Sequence, residues 1–254
     1  MNIDTKVYRK HENPTFGNTL LGAVPLVSEV YLMDNIELMK HYPDKYFDLA
    51  VVDPPYGIGE DGEKKRTSPK RPNSYLNYKK HSKKDWDKQP PKQEYFNELF
   101  RVSKNQIVWG ANHFISRMPY DSSCWIVWDK NMGGDFADCE LAWCSFKTAV
   151  RKVFGHPFIG TNGGIDRIHP TQKPIFLYDW IFNRYATEGM KVLDTHLGSG
   201  SNRIAAHKAG NIDFWGYELD TDYYLAQEKR FSNYIAQTNL FNTDTVITEQ
   251  LWKY

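Results

Sequence analysis

The chain has 254 residues, which is enough for one large domain. Its formal net charge is +1, so the protein as a whole has no electrostatic field that attracts nucleic acid. Its polar N-terminus lacks an apolar signal core, and no apolar stretch is long enough to span a membrane. Three cysteines without a C-x-x-C pair disfavour a disulfide framework or a zinc site, so we expect a cytoplasmic protein without a bound metal.

The predicted elements of the first part of the chain follow an irregular arm at 1–28. Strands are expected at 30–33 and 47–52, with a short helix at 36–40 between them. The strand 47–52 is apolar on both faces, which is typical of a central parallel strand. From 57 to 92 the sequence shows neither helical nor strand periodicity, and this stretch is predicted to be a loop.

The second part of the chain returns to regular structure. Its predicted elements are a helix at 93–102, strands at 106–109, 125–128 and 141–146, an irregular stretch at 151–168, a helix at 174–186, a strand at 191–194, a helix at 202–209, a strand at 214–218 and a helix at 222–237. The alternation of strands and helices predicts an α/β fold with a doubly wound, mostly parallel, Rossmann-like sheet. We expect a single domain over 1–254.

The segment Asp53-Pro54-Pro55-Tyr56 directly follows the strand 47–52, at the edge where open α/β sheets bind ligands. The prolines stiffen the loop and remove two N–H groups, while their carbonyl oxygens remain acceptors. Asp53 and the Pro54 carbonyl can each accept an N–H from an exocyclic amine of a nucleobase, and Tyr56 can stack on the base. The alternative is an ordinary Asp-Pro-Pro turn with a packed tyrosine.

A glycine-rich segment, Asp194-Thr195-His196-Leu197-Gly198-Ser199-Gly200-Ser201, follows the strand 191–194 and precedes a helix. Its glycines let the backbone approach a ligand closely. The dinucleotide pattern G-x-G-x-x-G fails because Arg203 stands at the third glycine position. Glu218, at the end of the next strand, can accept both hydroxyls of a ribose. An amino-acid-bearing nucleoside therefore fits better than a dinucleotide, and the alternative is a tight structural turn.

These two segments, in this order, are joined by two further ones. His169-Pro170-Thr171-Gln172-Lys173-Pro174 precedes the glycine-rich loop, and Asp34 lies in the lead-in to the strand 47–52. The four ordered segments resemble the permuted β class of S-adenosylmethionine-dependent DNA amino-methyltransferases, the N6-adenine and N4-cytosine family. The resemblance spans about residues 30–230. Thr195-His196 departs from the Pro-Phe of many relatives, as in some phage-like and prophage-like members.

The resemblance implies an enzyme that transfers a methyl group from S-adenosyl-L-methionine to N6 of a flipped adenine in double-stranded DNA. It places the chemistry at Asp53, Pro54, Pro55 and Tyr56. The residues implied in cofactor binding are Asp34, Asp53, His169, Thr171, Gln172, Lys173, Asp194, Thr195, His196, Gly198, Ser199, Gly200, Ser201, Glu218 and Leu219. In that class the early acid lies near the adenine ring of the cofactor, and His196 would stack in place of phenylalanine.

The resemblance also assigns DNA contacts to the region between the motifs. The stretch 57–92 carries eleven lysines and arginines against five acidic residues, and we expect a mobile insertion that closes over DNA. The lysines predicted to contact DNA are Lys79, Lys80, Lys83 and Lys84. Residues 110–168 are predicted to read the DNA sequence. The alternative for the basic stretch is a solvated insertion, and a homodimer is suggested by the family alone.

Three alternative functions differ in how well they fit the sequence. An N4-cytosine methyltransferase would use the same acceptors, because its target is also an exocyclic amine. A 5-methylcytosine enzyme needs a cysteine nucleophile, typically after proline, and none of the three cysteines follows a proline. A different class of protein, a DNA-binding module of the same fold without turnover, is disfavoured by the intact Asp53 and the glycines at 198 and 200.

Overall fold

The computed structural model describes residues 27–60, 84–131, 137–157, 159–160 and 166–251, with side chains as far as residue 237. The strands are β1 (Ser28–Leu32), β2 (Phe47–Val52), β3 (Ser103–Trp109), β4 (Trp125–Asp129), β5 (Cys139–Cys144), β6 (Arg151–Phe154), β7 (Met190–Asp194) and β8 (Ile212–Glu218). The helices are α1 (Asn35–Met39), α2 (Gln93–Val102), α3 (Ile175–Tyr185), α4 (Ser201–Ala209) and α5 (Thr221–Leu251).

The eight strands of the described ranges form one sheet in the order β1-β8-β7-β2-β3-β5-β4-β6. In the first part of this order, β1-β8-β7-β2-β3, each strand is parallel to its neighbours. Strand β5 is antiparallel to both β3 and β4, whereas β6 is parallel to β4. The prediction of a doubly wound, mostly parallel sheet is confirmed.

The centre of the sheet contains a topological switch point between β2 and β7. These strands are neighbours, with Leu49 opposite Val192 and Ala50 opposite Leu193. From β2 the chain winds outward to β3, and from β7 it winds outward in the other direction to β8. Open α/β sheets bind ligands in the crevice at the carboxyl ends of such strands. Both sequence motifs leave the sheet there.

Helices cover both faces of the sheet. On one face, Val51 and Ile107 pack with Leu177 of α3. On the other face, Val108 packs with Leu99 of α2. Because successive side chains of a strand point to opposite faces, adjacent residues such as Ile107 and Val108 belong to different layers of the core. The apolar character of β2 and β3 on both faces reflects this double burial.

Two elements show the largest differences from the sequence prediction. The irregular stretch predicted at 151–168 is wrong for Arg151–Phe154, which form the edge strand β6 beside β4. Only Val153 of this strand is buried, so four residues carry too little alternation to signal a strand. Helix α5 continues to Leu251 rather than ending at 237.

Arg203 of α4 is almost completely buried although it is a charged residue. Its Nη1 donates to Glu228 Oε1 at 2.6 Å and to Gln227 Oε1 at 3.2 Å, and its Nε donates to Ser28 Oγ at 3.2 Å. The guanidinium also lies 3.8 Å from the ring centre of Phe231. This arginine fixes α5 and β1 against α4, the helix that leaves the glycine-rich loop.

The variant Arg203→Met is expected to lower the free energy of unfolding by about 3–5 kcal/mol, because it removes one partner of a buried ion pair. Urea denaturation measures the loss. Adding Glu228→Leu is expected to recover most of it, since an apolar pair often replaces a buried ion pair without cost. Lys208→Met, which breaks an exposed pair with Asp179, is the control and should cost at most about 1 kcal/mol. A similar small cost for Arg203→Met would contradict the assigned role.

Candidate active site

Asn202 of α4 ties the two motif loops together. Its Nδ2 donates to the Val51 carbonyl at 3.0 Å and to Asp194 Oδ2 at 3.0 Å. The first contact lies at the end of β2, just before Asp53, and the second lies at the end of β7. The two loops recognised in the sequence are therefore held side by side at the switch point.

The loop after β2 forms a compact polar cluster with Lys173. Lys173 Nζ lies 2.5 Å from Asp53 Oδ1 and donates to Tyr56 Oη at 3.0 Å. The Tyr56 hydroxyl donates to the same Asp53 oxygen at 2.7 Å. Pro54 is buried and Pro55 is half-buried between them. The resemblance assigned Lys173 to the cofactor, whereas its ammonium group lies on the proposed catalytic acid.

Two charged side chains that the sequence interpretation missed complete this cluster. Glu140 Oε2 of β5 lies 3.2 Å from Lys173 Nζ and 3.4 Å from Tyr56 Oη. Glu140 Oε1 lies 2.5 Å from Lys130 Nζ, which follows β4. One feature of the sequence could have indicated Glu140, because it is the single charged residue in the otherwise apolar strand Cys139–Cys144.

Mutual pairing keeps the cluster charged despite its burial. Burial acts to raise the pKa of Glu140, but Lys173 and Lys130 outweigh it and lower that pKa to about 2. Burial opposes the charge on Lys173, but Asp53 and Glu140 prevail and raise the pKa of its ammonium. Burial raises the pKa of the Asp53 carboxyl, against the attraction of Lys173. When all four side chains are ionised, the charges of the two carboxylates and the two ammonium groups balance.

The Tyr56 ring is positioned by the segment after β3. The ring of His113 stacks on it with centroids 5.0 Å apart and planes at 15°. Gly110 adopts a left-handed φ of +68°, and a Cβ built there would lie 2.0 Å from Tyr56 Cε1. Glycine at 110 therefore serves two purposes, since it permits the turn after β3 and leaves room for the tyrosine ring.

The glycine-rich loop after β7 is shaped by Glu218 and Arg230. The Gly198 N–H donates to Glu218 Oε2 at 2.7 Å. Arg230 of α5 donates to the Ser199 carbonyl at 2.7 Å and to Ser201 Oγ at 2.9 Å. Sequence reasoning missed Arg230, because its helix carries no motif. Glu218 was predicted to bind ribose hydroxyls, and in the structure it also holds the loop.

Acidic groups dominate the region around this loop. Asp194 is buried and accepts hydrogen bonds from two neutral donors, the His196 N–H at 3.0 Å and the Asn202 amide at 3.0 Å. Burial raises the pKa of Asp194 to about 7 and also raises the pKa of Glu218. A positively charged ligand would offset the cost of holding these groups ionised. The donor and acceptor set therefore suits a ligand with a cationic centre and hydroxyl groups.

Thr195 and His196, which depart from the family pattern, are fixed by hydrogen bonds. The Asn35 amide donates to the Thr195 carbonyl and contacts His196 Nε2, each at 3.1 Å. Because that amide nitrogen only donates, Nε2 accepts, and Nδ1 carries the proton and donates to Thr195 Oγ1 at 2.9 Å. Tyr95 Oη also lies 2.6 Å from Thr195 Oγ1, and its ring meets the imidazole edge-on at 5.2 Å.

The neutral state of His196 gives a pH-dependent prediction. Burial lowers its pKa to about 3, far below the value near 6.5 of a free imidazole. Below pH ~6.5 the unfolded chain takes up a proton that the folded chain does not, so stability falls as the pH falls toward 3. His196→Phe removes this term. The stability of wild type relative to the variant should fall by up to about 1.4 kcal/mol per pH unit below pH ~6.5.

Wild type must be compared with His196→Phe, because Asp194 changes the pH dependence of stability in the opposite direction to His196. Its pKa is raised by burial, so its contribution to stability is full below the unfolded value and is lost as the pH rises through about 7. Subtracting one protein from the other cancels this term. Urea unfolding of both at several pH values is the measurement, and a constant difference would show that His196 protonates freely in the folded protein.

The segment 169–174 bridges the two loops. The His169 ring lies within 3.8 Å of a Cβ built on Gly198, and its centre lies 5.0 Å from that of the Trp86 ring. Gln172 is buried and its Oε1 accepts from the Ile168 N–H at 3.0 Å. Lys173 then turns to Asp53. One motif therefore faces the glycine-rich loop at its start and the Asp53–Tyr56 loop at its end.

Other predicted site residues have different surroundings. Asp34 is exposed and caps α1, since its Oδ1 accepts from the N–H groups of Ile36 and Glu37. Leu219 is 71% exposed at the end of β8. Thr171 Oγ1 lies 3.2 Å from His169 Nδ1. These positions are compatible with a ligand at the surface of the crevice, and their role in cofactor binding stays a prediction.

The basic insertion is described only at its two ends. Lys79, Lys80 and Lys83 lie outside the described residues. Lys84 Nζ pairs with Asp220 at 2.9 Å and with Asp222 at 2.6 Å, so its charge is engaged at the start of α5. The buried Asp87 joins the two ends, because its carboxylate accepts from the N–H groups of Gly57 at 2.8 Å and Glu60 at 2.7 Å.

Two searches of the described ranges concern other kinds of site. Among these residues, no group of three or more His, Cys, Asp or Glu side chains is arranged to hold a metal ion. The helices within the same ranges are not long and apolar enough to cross a bilayer.

The chain resembles known proteins in sequence and in fold. No protein-family model matches the chain. The chain is 23% identical over 216 residues to YubD of Escherichia coli (strain K12), a protein named as a methylase, and the match covers 78% of this chain and 88% of YubD.

Two solved structures have a similar fold. One is TTHA0409 of Thermus thermophilus, named as a DNA modification methylase and complexed with S-adenosyl-L-methionine, with a TM-score of 0.52 and 14% identity over 82% of this chain and 94% of that one. The other is the M1.HpyAVI–SAM complex, with a TM-score of 0.50 and 19% identity over 79% and 97%. At these identities the likeness shows the fold of the chain.

Proposed function

We propose that this chain is a DNA methyltransferase of the permuted β class, which transfers a methyl group from S-adenosyl-L-methionine to N6 of a flipped adenine. The observation that carries the proposal is the juxtaposition of the Asp53–Tyr56 loop and the Asp194–Ser201 loop at one switch point. Asn202 contacts both sides of it. The similarity to proteins named as methylases supports the same activity.

The cofactor proposal rests on the chemistry of the loop after β7. S-adenosyl-L-methionine carries an ammonium group and a sulfonium centre as well as two ribose hydroxyls, which suits the acid-rich surroundings of Asp194 and Glu218. The backbone of Gly198 and Gly200, both with positive φ, would permit close approach of the ligand. When bound, the cofactor supplies an activated methyl group. His196 belongs to the same loop, and the His169 ring lies beside its Gly198.

The catalytic proposal concerns the acceptors beside that loop. Asp53 and the Pro54 carbonyl would each accept one N–H of the target amine, which draws the nitrogen lone pair away from the ring and makes it more nucleophilic. The Asp53 carboxylate also stabilises the positive charge that the nitrogen acquires. Stacking on Tyr56 is worth roughly 1–3 kcal/mol and offsets part of the cost of flipping the base. Orientation of the amine supplies much of the remaining rate.

Sequencing of modified bases in DNA from an expressing host tests the proposal. Wild-type protein is expected to mark one short recognition sequence with N6-methyladenine, and the host carrying Asp53→Asn should lack the mark. Detection of N4-methylcytosine at that sequence would mean that the target base is cytosine and that adenine N6 is not the acceptor. Absence of any modified base, together with no tritium transfer from labelled cofactor to any DNA, would leave only the catalytically silent DNA-binding module.

The basic insertion gives a separate prediction about DNA binding. Neutral replacement of Lys79, Lys80 and Lys83 is expected to reduce the slope of log K against log salt by about 0.9 for each phosphate that is no longer neutralised. Lys84→Gln should change the slope little, because its ammonium is already paired with Asp220 and Asp222. Fluorescence anisotropy over a salt series measures both. An unchanged slope in the triple variant would assign the insertion to the solvated alternative.

A further inference from the structure

Lys173 occupies an unexpected place in the proposed base pocket. Its ammonium is buried, lies 2.5 Å from Asp53 Oδ1 and 3.2 Å from Glu140 Oε2, and donates a hydrogen bond to Tyr56 Oη at 3.0 Å. Asp53 is the acceptor proposed for the target amine. A strong donor therefore stands directly beside that acceptor, and nothing in the transfer of a methyl group by itself requires a cation there.

The pairing of a donor with an acceptor matches one chemical feature of the target. In adenine the N6 amine lies next to N1, a ring nitrogen that accepts, and in cytosine the N4 amine lies next to N3, which also accepts. Guanine and thymine instead present a ring N–H beside a carbonyl oxygen at the corresponding edge. An acceptor at Asp53 and a donor at Lys173 would pair with the first arrangement and clash with the second.

We propose that Lys173 reads the target base, by donating a hydrogen bond to the ring nitrogen adjacent to the amine that Asp53 accepts. Glu140 is the positioning residue for this contact, and Lys130 fixes Glu140. This inference rests on the proposed function and deepens it, because it names the residue that restricts the substrate to amino bases of the adenine and cytosine type.

The surroundings of Lys173 show how a donor can be released for the base. The contact with Tyr56 Oη is replaceable, because the Tyr56 hydroxyl keeps its own bond to Asp53 at 2.7 Å. Glu140 offers the ammonium a second carboxylate at 3.2 Å, so Lys173 does not depend on Asp53 alone for a counter-charge. Glu140 is in turn held by Lys130 at 2.5 Å. The two carboxylates also share the charge of Lys173, so that its withdrawal of electrons from the base is reduced.

An atomic substitution in the DNA tests the contact directly. Duplexes carry the recognition sequence with either adenine or 1-deazaadenine at the target, which replaces N1 by a carbon atom. For wild type, removal of a charged hydrogen bond is expected to lower kcat/KM by about 10- to 100-fold. For Lys173→Met the same replacement should change kcat/KM by less than about 3-fold, because no donor remains to lose. If sequencing identifies cytosine, 3-deazacytosine takes the place of 1-deazaadenine.

Two further variants separate recognition from folding. Lys208→Met also removes a lysine from a carboxylate pair, far from the pocket, and should keep the full preference for adenine over 1-deazaadenine. Glu140→Gln leaves Lys173 in place and should reduce that preference several-fold with cofactor affinity close to that of wild type, although the melting temperature is expected to fall because Lys130 and Lys173 lose a buried partner. It replaces Lys173→Met as the deciding variant if the methionine variant does not fold.

The outcomes distinguish the inference from the function on which it rests. An equal loss on 1-deazaadenine in wild type and in Lys173→Met would overturn the reading role, because the effect would then belong to the base itself. Equal use of both bases by wild type would overturn it as well, while methyl transfer to DNA still stood. Absence of transfer to any DNA by wild type would instead overturn the proposed function.

Discussion

Replacing Asp53 by asparagine is expected to lower the rate of methyl transfer at saturating cofactor by on the order of 10²- to 10⁴-fold. Asparagine has nearly the same shape, but it loses the charge that stabilises the developing positive nitrogen. Its amide group would also offer a donor where the target amine presents its own N–H groups. Single-turnover transfer of tritium from labelled cofactor to DNA measures the rate, and calorimetric titration measures cofactor affinity.

Asp48 provides the matched control on the same strand. Its Oδ1 lies 2.6 Å from Lys104 Nζ, and its Oδ2 accepts from the Lys191 N–H at 2.9 Å, at the opposite end of β2 from the crevice. Asp48→Asn weakens a partly exposed pair at the far end of the strand and should change the rate by no more than about 3-fold. Retention of more than about a tenth of wild-type activity in Asp53→Asn would remove Asp53 from the reaction.

The position of the two motif loops could be predicted from the sequence because each is continuous with a strand that has a clear apolar pattern. Phe47–Val52 is apolar on both faces except at Asp48, and Met190–Asp194 contains the buried apolar pair Val192 and Leu193. The carboxyl ends of such parallel strands meet at a common edge. The polar residues that follow them must therefore lie near one another. Local pattern and general topology suffice for this part of the site.

Glu140 and Lys130 could not be placed by the same reasoning. They approach Asp53 only because β5 runs antiparallel beside β3 and pairs with β4 on its other side. That strand order is a result of tertiary packing and has no local signal in the sequence. The strand β6 is a similar case, since Arg151–Phe154 becomes regular through its partner β4.

Lys173 shows that a motif does not fix the contact of each of its residues. The resemblance associates the whole segment 169–174 with the cofactor, and His169 does face the glycine-rich loop. The few residues that follow His169 nevertheless carry Lys173 Nζ to the Asp53 carboxylate. Only three-dimensional structure separates these two directions, and the proposed base site and the proposed cofactor site then lie at opposite ends of one segment.

The variant Gly110→Ala is expected to displace Tyr56 and to reduce methyl transfer about 10- to 100-fold, which corresponds to the value of stacking one base. A Cβ at 110 would lie 2.0 Å from Tyr56 Cε1 and 2.4 Å from Cζ, which no rotation of a methyl group relieves. The ring must move, and the hydrogen bond from its hydroxyl to Asp53 is then broken. Transfer kinetics and urea unfolding measure the two consequences.

Gly210→Ala separates crowding from backbone strain. Gly210 has a φ of +72°, close to the +68° of Gly110, but a Cβ there meets nothing within 4 Å. In both variants an alanine in the left-handed conformation should lower the free energy of unfolding by about 1–2 kcal/mol. Overpacking should lower it by a further ~1–3 kcal/mol in Gly110→Ala alone. Only Gly110→Ala should lose activity.

A double variant tests whether contact with the Tyr56 ring causes the loss of stability and activity in Gly110→Ala. In a Tyr56→Ala background the space beside residue 110 is open, so Gly110→Ala should then cost no more stability than Gly210→Ala does, and no further activity. Such non-additivity is expected of side chains in direct contact. Full additivity of the two changes would mean that the Gly110 turn acts on methyl transfer by a route that does not pass through the Tyr56 ring.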